Sequence, residues 1–159
     1  MQESIVQPGN FESAHSFQPQ SASPAGRSMR LCPGIPSGRR PGQMCIRDSE
    51  KDAPKTCAQF VKMLPYESGA LQARFSGTEC FFRMPMGLEP EHIVNPEFTD
   101  LAFNSNFEQA VCIYYDTNIH ASNPPFNQFA KLKGDLEELK KIGVRIWHEG
   151  MENVRVFAE

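Results

Sequence analysis

Residues 52–65 read DAPKTCAQFVKMLP, and the rest of the sequence is organised around this stretch. Pro54 suits the first turn of a helix, where its missing N–H would have no intrahelical partner. Apolar side chains then recur at the i, i+3, i+4 and i+7 positions, which is typical of an amphipathic helix; they are Cys57, Phe60, Val61 and Leu64. Pro65 disfavours helical geometry in the residue before it and so ends the helix. The pattern predicts a short helix that packs against another element.

Strand-like segments follow this helix and supply the surface on which it packs. They lie at residues 71–76, 80–84, 98–103, 110–115 and 126–132. In the first of them, Leu71, Ala73 and Phe75 alternate onto one face. Residues 110–115 read AVCIYY, and this continuous apolar run indicates a strand that is buried on both faces.

A second helix is predicted near the C-terminus, at residues 135–142. Asp135 has the place of an N-cap, and Glu138 follows three residues later as in a capping box. Gly143 is expected to end the helix in a left-handed conformation. Residues 144–147 and 153–157 then alternate as two strands that are joined by a turn. The whole order predicts a mostly-β domain, a small barrel with two helices.

Residues 1–49 differ in composition from the remainder. They hold six Pro, five Gly and eight Ser, and residues 1–43 show no sustained strand or helix period. Such a segment buries too little apolar surface to offset its ordering entropy, so we predict that it is disordered. Residues 44–49, MCIRDS, resemble the translation of an adapter used in preparing sequencing libraries. We therefore expect residues 1–49 to be a disordered or artefactual segment, and residues 50–159 to be the domain.

Charge and cysteine usage exclude several classes of function. Residues 50–159 carry 11 Lys and Arg against 16 Asp and Glu, which disfavours non-specific nucleic-acid binding. Five cysteines, with no C-x-x-C pair, suggest neither a disulfide framework nor a zinc site; they are Cys32, Cys45, Cys57, Cys80 and Cys112. No segment has the length and apolarity of a membrane span, and no signal peptide is evident. The sequence predicts a cytoplasmic protein that needs no metal and no cofactor.

Several motifs together resemble cyclophilins, and more closely a bacterial family of uncharacterised cyclophilin-like proteins. The shared residues are Ala53-Pro54-Lys55-Thr56-Cys57, Leu64-Pro65, Ala73-Arg74-Phe75-Ser76-Gly77, Cys80-Phe81-Phe82-Arg83-Met84-Pro85, Asn127 with Phe129-Ala130, and Trp147 with Gly150. The resemblance covers residues 50–159 and implies a cyclophilin-like barrel. Such domains begin with two strands before the first helix, and residues 1–49 do not read as that hairpin. The resemblance therefore implies a barrel that lacks its first two strands.

The resemblance to cyclophilins suggests prolyl isomerase activity, but two differences from the cyclophilin motif argue against it. Arg83 matches the arginine of the isomerase groove, but Phe82 replaces the histidine that precedes it, and residues 86–89 are unlike the glycine turn that follows. An isomerase needs an apolar slot for the proline ring and a guanidinium that stabilises the twisted amide. Arg83 would be the catalytic residue of such an enzyme, with Arg74 as the other candidate.

The predicted ligand-binding residues are Arg74, Phe75, Ser76, Phe82, Arg83, Asn127 and Phe129. Each also has a structural interpretation: the arginines as solvated strand positions, the phenylalanines as core, and Asn127 as a strand-end turn. His92, His120 and His148 are scattered, with no metal-ligand spacing, and Glu89 and Glu91 flank Pro90 in a loop. These five titratable residues are interpreted as solvated or capping positions.

The sequence thus predicts a small-ligand or peptide-binding module without strong catalytic activity. Its partner would be a small molecule or a proline-containing peptide, with no nucleic acid and no membrane, and homo-oligomerisation is open. A peptidyl-prolyl isomerase is the alternative enzyme, and a non-functional fragment of a chimeric assembly is the third hypothesis.

Overall fold

The computed structural model describes the side chains of residues 44–106, 109–120 and 126–158, and the backbone of residues 27–31. Two helices, one 3-10 turn and eight strands lie in these ranges. The strands are β1 (Arg27–Leu31), β2 (Met44–Asp48), β3 (Tyr66–Gln72), β4 (Gly77–Arg83), β5 (Asp100–Asn104), β6 (Ala110–Ile119), β7 (Asn127–Lys133) and β8 (Glu152–Ala158). The helices are α1 (Pro54–Lys62) and α2 (Leu136–Glu149), and the 3-10 turn is Arg74–Ser76.

The strands form a closed barrel in the order β1-β2-β7-β5-β6-β4-β3-β8. β1 pairs in parallel with both β2 and β8, and every other neighbouring pair is antiparallel. Residues alternate between the interior and the outer face along each strand. On β6, Val111, Ile113 and Tyr115 belong to the interior core. The interior is apolar and continuous, which is the main stabilising feature of the fold.

The two helices pack against the strands through their apolar stripes. Phe60 of α1 contacts Phe129 of β7, with ring centroids 5.0 Å apart and a tilted geometry. Leu139, Gly143 and Ile146 are the buried residues of α2, which contacts β3, β4 and β6. Within the described residues, neither helix is long and apolar enough to cross a membrane.

The mostly-β class with two helices is confirmed. Strands were predicted close to β4, β5, β6, β7 and β8, and the helix at 52–65 corresponds to α1. Asp135 is the N-cap of α2, since its side chain accepts a hydrogen bond of 3.0 Å from the Glu138 backbone N–H. Cys45, Cys57, Cys80 and Cys112 are buried free thiols.

Two secondary-structure predictions are wrong. Residues 144–147 are helical and continue α2 to Glu149, because Leu139, Gly143 and Ile146 form one buried helical face. Residues 71–76 are not one strand: β3 ends at Gln72, and the chain turns through Arg74–Ser76. Phe75 is therefore 62% exposed and does not share a buried face with Ala73.

The expectation that the first two strands are lacking also needs correction. β2 pairs with β7, and β1 lies between β2 and β8, where it joins the two ends of the sheet. Met44 and Ile46 of β2 alternate into the interior core, which explains why this segment can pair with the sheet. Residues 1–26 and 32–43 lie outside the described residues, so the disorder predicted for them and the domain boundary at residue 49 stay predictions.

Gly143 permits the close approach of α2 to β6. A Cβ atom at this position would lie 2.3 Å from ring atoms of Tyr115, which is itself buried in the core. The glycine is thus needed for packing distance and not for the left-handed cap that the sequence suggested.

Replacing Gly143 with alanine should destabilise the domain. Alanine favours the helix by about 1 kcal/mol, but over-packing of a tight core typically costs about 1–3 kcal/mol. We expect the free energy of unfolding, measured by urea denaturation, to fall. Val144→Ala is the control, because Val144 is 50% exposed on the same helix. A Gly143→Ala protein at least as stable as the parent would contradict this packing account.

Candidate functional site

A second apolar cluster lies on the outer face of the sheet and is separate from the barrel interior. It contains Ala102, Cys112, Tyr114 and Phe126, with Phe81 and Ile119 packed against it. Strand alternation explains the separation, because Cys112 and Tyr114 point away from the interior that Ile113 and Tyr115 enter. Residues 110–115 of β6 are therefore buried on both faces, as their continuous apolarity predicted.

Strand register places a carboxyl group beside this cluster. Glu79 of β4 is the partner of Tyr114 across the β4–β6 ladder, and Phe81 is the partner of Cys112. Ser76, in the turn before β4, is also buried and interacts with Glu79. We call Ser76, Glu79, Cys112, Tyr114 and Phe126 the outer-face cluster.

The two central polar groups of the outer-face cluster are buried and imperfectly paired. The side chain of Glu79 is 3% exposed and that of Tyr114 is 0% exposed. The Ser76, Cys112 and Tyr114 side chains lie close enough to the Glu79 carboxyl to hydrogen-bond with it. Among the described residues, however, none meets the Glu79 Oε2 atom or the Tyr114 hydroxyl with good hydrogen-bond geometry, whereas most buried polar groups in folded proteins are well paired.

Burial changes the ionisation of the outer-face cluster. Desolvation raises the pKa of Glu79, although hydrogen bonds with the Cys112, Ser76 and Tyr114 side chains act in the opposite direction. Burial, with the Glu79 charge as the next cause, raises the pKa of Tyr114 and also that of the Cys112 thiol. The site thus combines a carboxyl group of raised pKa with a neutral tyrosine in an apolar setting, the kind of environment that is enriched at functional sites.

Two apolar residues of β3 and β4 lie beside the outer-face cluster. Phe81 is half-buried, and its partner across the β3–β4 ladder, Leu71, is 44% exposed. On the other side, the ring of Phe126 meets Tyr114 edge-on, with centroids 5.8 Å apart. We call Leu71 and Phe81 the apolar row. It adjoins the outer-face cluster through Phe81, which pairs with Cys112.

Ionic and polar contacts border the outer-face cluster on β5 and β7. Lys131 pairs with Asp100 at 2.8 Å and with Glu97 at 3.3 Å. The hydrogen bond to Asp100 is the main cause that raises the pKa of Lys131. Gln128 contacts the His92 ring nitrogen Nδ1 at 3.1 Å. The nearby cation is therefore already engaged by two carboxylates.

The predicted ligand-binding residues do not converge on one pocket. Phe82 and Phe129 lie in the barrel interior, whereas Arg74, Phe75 and Arg83 lie on the surface. Arg74 instead donates a 2.7 Å hydrogen bond to the Trp147 carbonyl and stacks over its ring at 5.1 Å. Of the seven, only Ser76 joins the outer-face cluster.

Asn127 joins three segments and is fully buried. Its Oδ1 atom accepts hydrogen bonds from the backbone N–H groups of Glu91 and His92, at 3.2 and 2.9 Å. Its Nδ2 group donates to the Thr56 hydroxyl at 2.8 Å. All its bonds are internal, so its contacts fit a structural role.

Glu91 caps the N-terminus of α1 from a distant loop. Its carboxylate accepts hydrogen bonds from the backbone N–H and hydroxyl of Thr56, at 2.7 and 2.9 Å, and from the Lys55 N–H at 3.2 Å. A carboxylate at this position also interacts favourably with the helix dipole. Desolvation acts to raise the pKa of Glu91, but these hydrogen bonds outweigh it and lower the pKa.

The remaining candidates have structural surroundings or solvent contact. His120 donates its backbone N–H to the Ser76 carbonyl, and its ring lies 3.2 Å from Asn118 Oδ1. His148 is exposed on α2. Within the part of the chain that the structure describes, no group of three metal-ligating side chains occurs.

Comparisons with known proteins identify a family and a structural neighbour. The family described as "Protein of unknown function (DUF3830)" matches residues 40–157. No curated protein matches the chain. The solved structure of McbB in complex with tryptophan is similar, with a TM-score of 0.59 and 19% sequence identity. The match covers 72% of this chain but only 40% of McbB, and at this identity it shows the fold.

The Glu91 cap should make stability depend on acid pH. Because the folded pKa is lowered, the stabilisation is complete above the ordinary value of 4.5 and is lost as the pH falls through the folded pKa. Glu91→Gln should therefore reduce the free energy of unfolding near neutral pH, by roughly 0.5–2 kcal/mol as for other helix caps. The difference between the two proteins should shrink below pH 4.5.

Denaturation series at several pH values measure this effect. Glu89→Gln is the matched control, since Glu89 lies two residues earlier in the same loop. A Glu91→Gln deficit that is equally large in acid would mean that the carboxylate charge is not what stabilises α1.

Proposed function

The chain belongs to the DUF3830 family of proteins of unknown function, and we propose that it is a small-ligand-binding module without strong catalytic activity. The binding surface we propose is the outer-face cluster together with the apolar row. A ligand would place polar atoms near Glu79 and Tyr114 and would cover Leu71 and Phe81.

The observation that carries this proposal is the buried carboxyl and hydroxyl pair, whose hydrogen bonding within the described residues is incomplete. An unsatisfied buried polar group costs about 1–3 kcal/mol. The Glu79 Oε2 atom and the Tyr114 hydroxyl are such groups, on neighbouring strands. A ligand that supplied hydrogen-bond partners to both would recover this free energy on binding. Groups placed in this way destabilise the free protein and favour the complex.

The structural neighbour gives secondary support. McbB shares the fold over most of this chain and has been solved in complex with tryptophan, a small molecule. A fold of this kind is thus compatible with a small-molecule partner. The finer resemblance to cyclophilin-like proteins stays a prediction.

The alternative of a prolyl isomerase loses its geometric support. Arg83 lies exposed at the end of β4, whereas Phe82 and Phe129 point into the barrel interior. A guanidinium and an apolar slot on opposite faces of the sheet do not act on the same proline.

Tyr114→Phe should weaken ligand binding without destabilising the free protein. The substitution removes only the hydroxyl, whose contact with Glu79 has poor hydrogen-bond geometry, so we expect the free energy of unfolding to change by less than about 1 kcal/mol. Ligands found by screening a small-molecule library with ligand-observed NMR should bind roughly 3–10-fold more weakly, as expected for one lost hydrogen bond.

Tyr115→Phe is the matched control. This neighbouring tyrosine points into the interior, interacts with Gln72, and should leave ligand affinity within about twofold. The proposal is wrong if no library member binds, or if the ligands that bind are insensitive to Tyr114→Phe.

A further inference from the structure

We propose that residues 88–96 form a lid that opens independently of the barrel, and that the Glu91 carboxylate is the latch that holds it closed over Thr56 and Asn127. The lid is part of the loop between β4 and β5, which runs over residues 84–99. In a compact domain, a loop longer than about 12–15 residues without regular secondary structure is uncommon and is often functional. Opening of the lid involves no ligand, so the lid does not depend on the proposed function.

The lid covers buried polar side chains without being buried itself. Thr56 and Asn127 are both 0% exposed, whereas none of residues 88–96 is buried. Leu88 packs against the core, but Ile93 is 56% exposed. Segments with few buried apolar contacts open at a lower free-energy cost than core strands and helices. Polar contacts must therefore hold the lid closed.

The polar contacts that involve a charged group converge on Glu91. Its Oε2 atom accepts hydrogen bonds from the backbone N–H and the hydroxyl of Thr56, at 2.7 and 2.9 Å, and its Oε1 atom accepts from the Lys55 N–H at 3.2 Å. Hydrogen bonds to an ionised carboxylate are about twice as strong as those between neutral groups. All three partners are donors, and a protonated carboxyl loses acceptor capacity and gains a donor of its own. The latch therefore requires the ionised form of Glu91.

The contacts of the lid with β7 and the residue before it are between neutral backbone and amide groups. The His92 N–H donates to Asn127 Oδ1 at 2.9 Å, and the Val94 N–H donates to the Phe126 carbonyl at 3.3 Å. The Gln128 N–H donates to the His92 carbonyl at 3.0 Å. When the lid opens, water can replace each of these partners, so each bond contributes less to closure than a bond to an ionised group.

Both ends of the lid are fixed to neighbouring strands, so the lid can move without displacing them. Gly87 has a φ of 67°, which favours glycine, and its N–H donates to a side chain in the turn before β6 at 3.0 Å. Thr99 has a φ of 77°, which is unusual for a β-branched residue. Its N–H donates to the Tyr114 carbonyl at 2.8 Å, and its carbonyl accepts from the Leu132 N–H at 2.7 Å. Residues 88–96 lie between these two fixed points.

Acid should open the lid because it protonates the latch. The other charged and titratable groups near the latch and the N-terminus of α1 are Lys55, Cys57, Asp48, Glu50, Glu89 and His92. Desolvation acts to raise the pKa of Glu91, but the hydrogen bonds from Thr56 and Lys55, together with the Lys55 charge, outweigh it and lower the pKa. The latch is therefore complete above the ordinary value of 4.5 and is lost as the pH falls through the folded pKa.

Native-state hydrogen exchange on the full chain, followed by NMR at increasing urea concentrations, tests the lid. The reporters are the N–H groups of His92, Val94 and Gln128, and the amides of β6 are the internal reference. We expect the reporters to be at least about tenfold less protected than the β6 amides, with little dependence on urea, because local opening exposes little surface. Equal protection and an equal urea slope would mean that the lid opens only when the barrel unfolds, and would overturn the proposal.

Glu91→Gln tests the latch at neutral pH. The amide keeps the shape of the side chain and removes its charge, so the protection of the three reporters should fall roughly 3–30-fold, as for the loss of other helix caps. Glu89→Gln is the matched control, since Glu89 is exposed in the same lid, and it should leave this protection within about twofold. Reporter protection that Glu91→Gln does not change would show that Glu91 is not the latch.

A pH series on the parent protein needs no substitution. As the pH is lowered from 7 to about 3, the reporter protection of the parent should fall to that of Glu91→Gln, while the β6 amides stay better protected. If the difference between the two proteins persists in acid, or if reporter protection in the parent is constant over this range, the carboxylate charge does not hold the lid closed and the proposal is wrong.

Discussion

The burial of β6 on both faces is the constraint on which the structure depends. Val111, Ile113 and Tyr115 fill the barrel interior, while Cys112 and Tyr114 form the outer-face cluster. The strand pairs with β4 on one side and β5 on the other, so its register fixes what lies opposite each residue. The register of the β4–β6 pair places Glu79 beside Tyr114. The packing of the interior therefore fixes the positions of the strands. Side chains on the outer face, which this packing does not constrain, can then form a functional site.

The elements that could be predicted from sequence are those in which local signals agree. The α1 helix has a proline at its start and one apolar stripe, and Asp135 marks the start of α2 by its capping bond. The strand prediction for residues 144–147 was wrong because Val, Arg, Ile and Trp alternate there as in a strand. The contact that keeps this segment helical is between Gly143 and Tyr115, which are far apart in sequence. Strand β2 was overlooked because its short alternation, Met44 and Ile46, carries too little signal.

The candidate site was harder to predict than the fold. Glu79 is the only acid in β4, and alternation places it on the face opposite to Phe82. That face of a small barrel is ordinarily solvated, and its burial here arises from tertiary packing against Phe126 and neighbouring segments, which no local pattern reports. Arg83 and Asn127 were both chosen because they stand in motifs that resemble cyclophilin-like proteins. The contacts of Asn127 with Thr56 and Glu91 depend on three separate segments meeting.

Stability and ligand binding make opposite demands on the outer face. An apolar side chain in place of Glu79, matched in size to its surroundings, would remove an unpaired buried group and should stabilise the barrel. The fold is stable without this additional stabilisation, because α1, α2 and the barrel strands already enclose a continuous apolar core. The contacts of this carboxyl with Ser76, Cys112 and Tyr114 offset only part of its burial, since the Glu79 Oε2 atom has no well-aligned partner among the described residues. Its cost is explained if the group is paired by a molecule that comes from outside the chain.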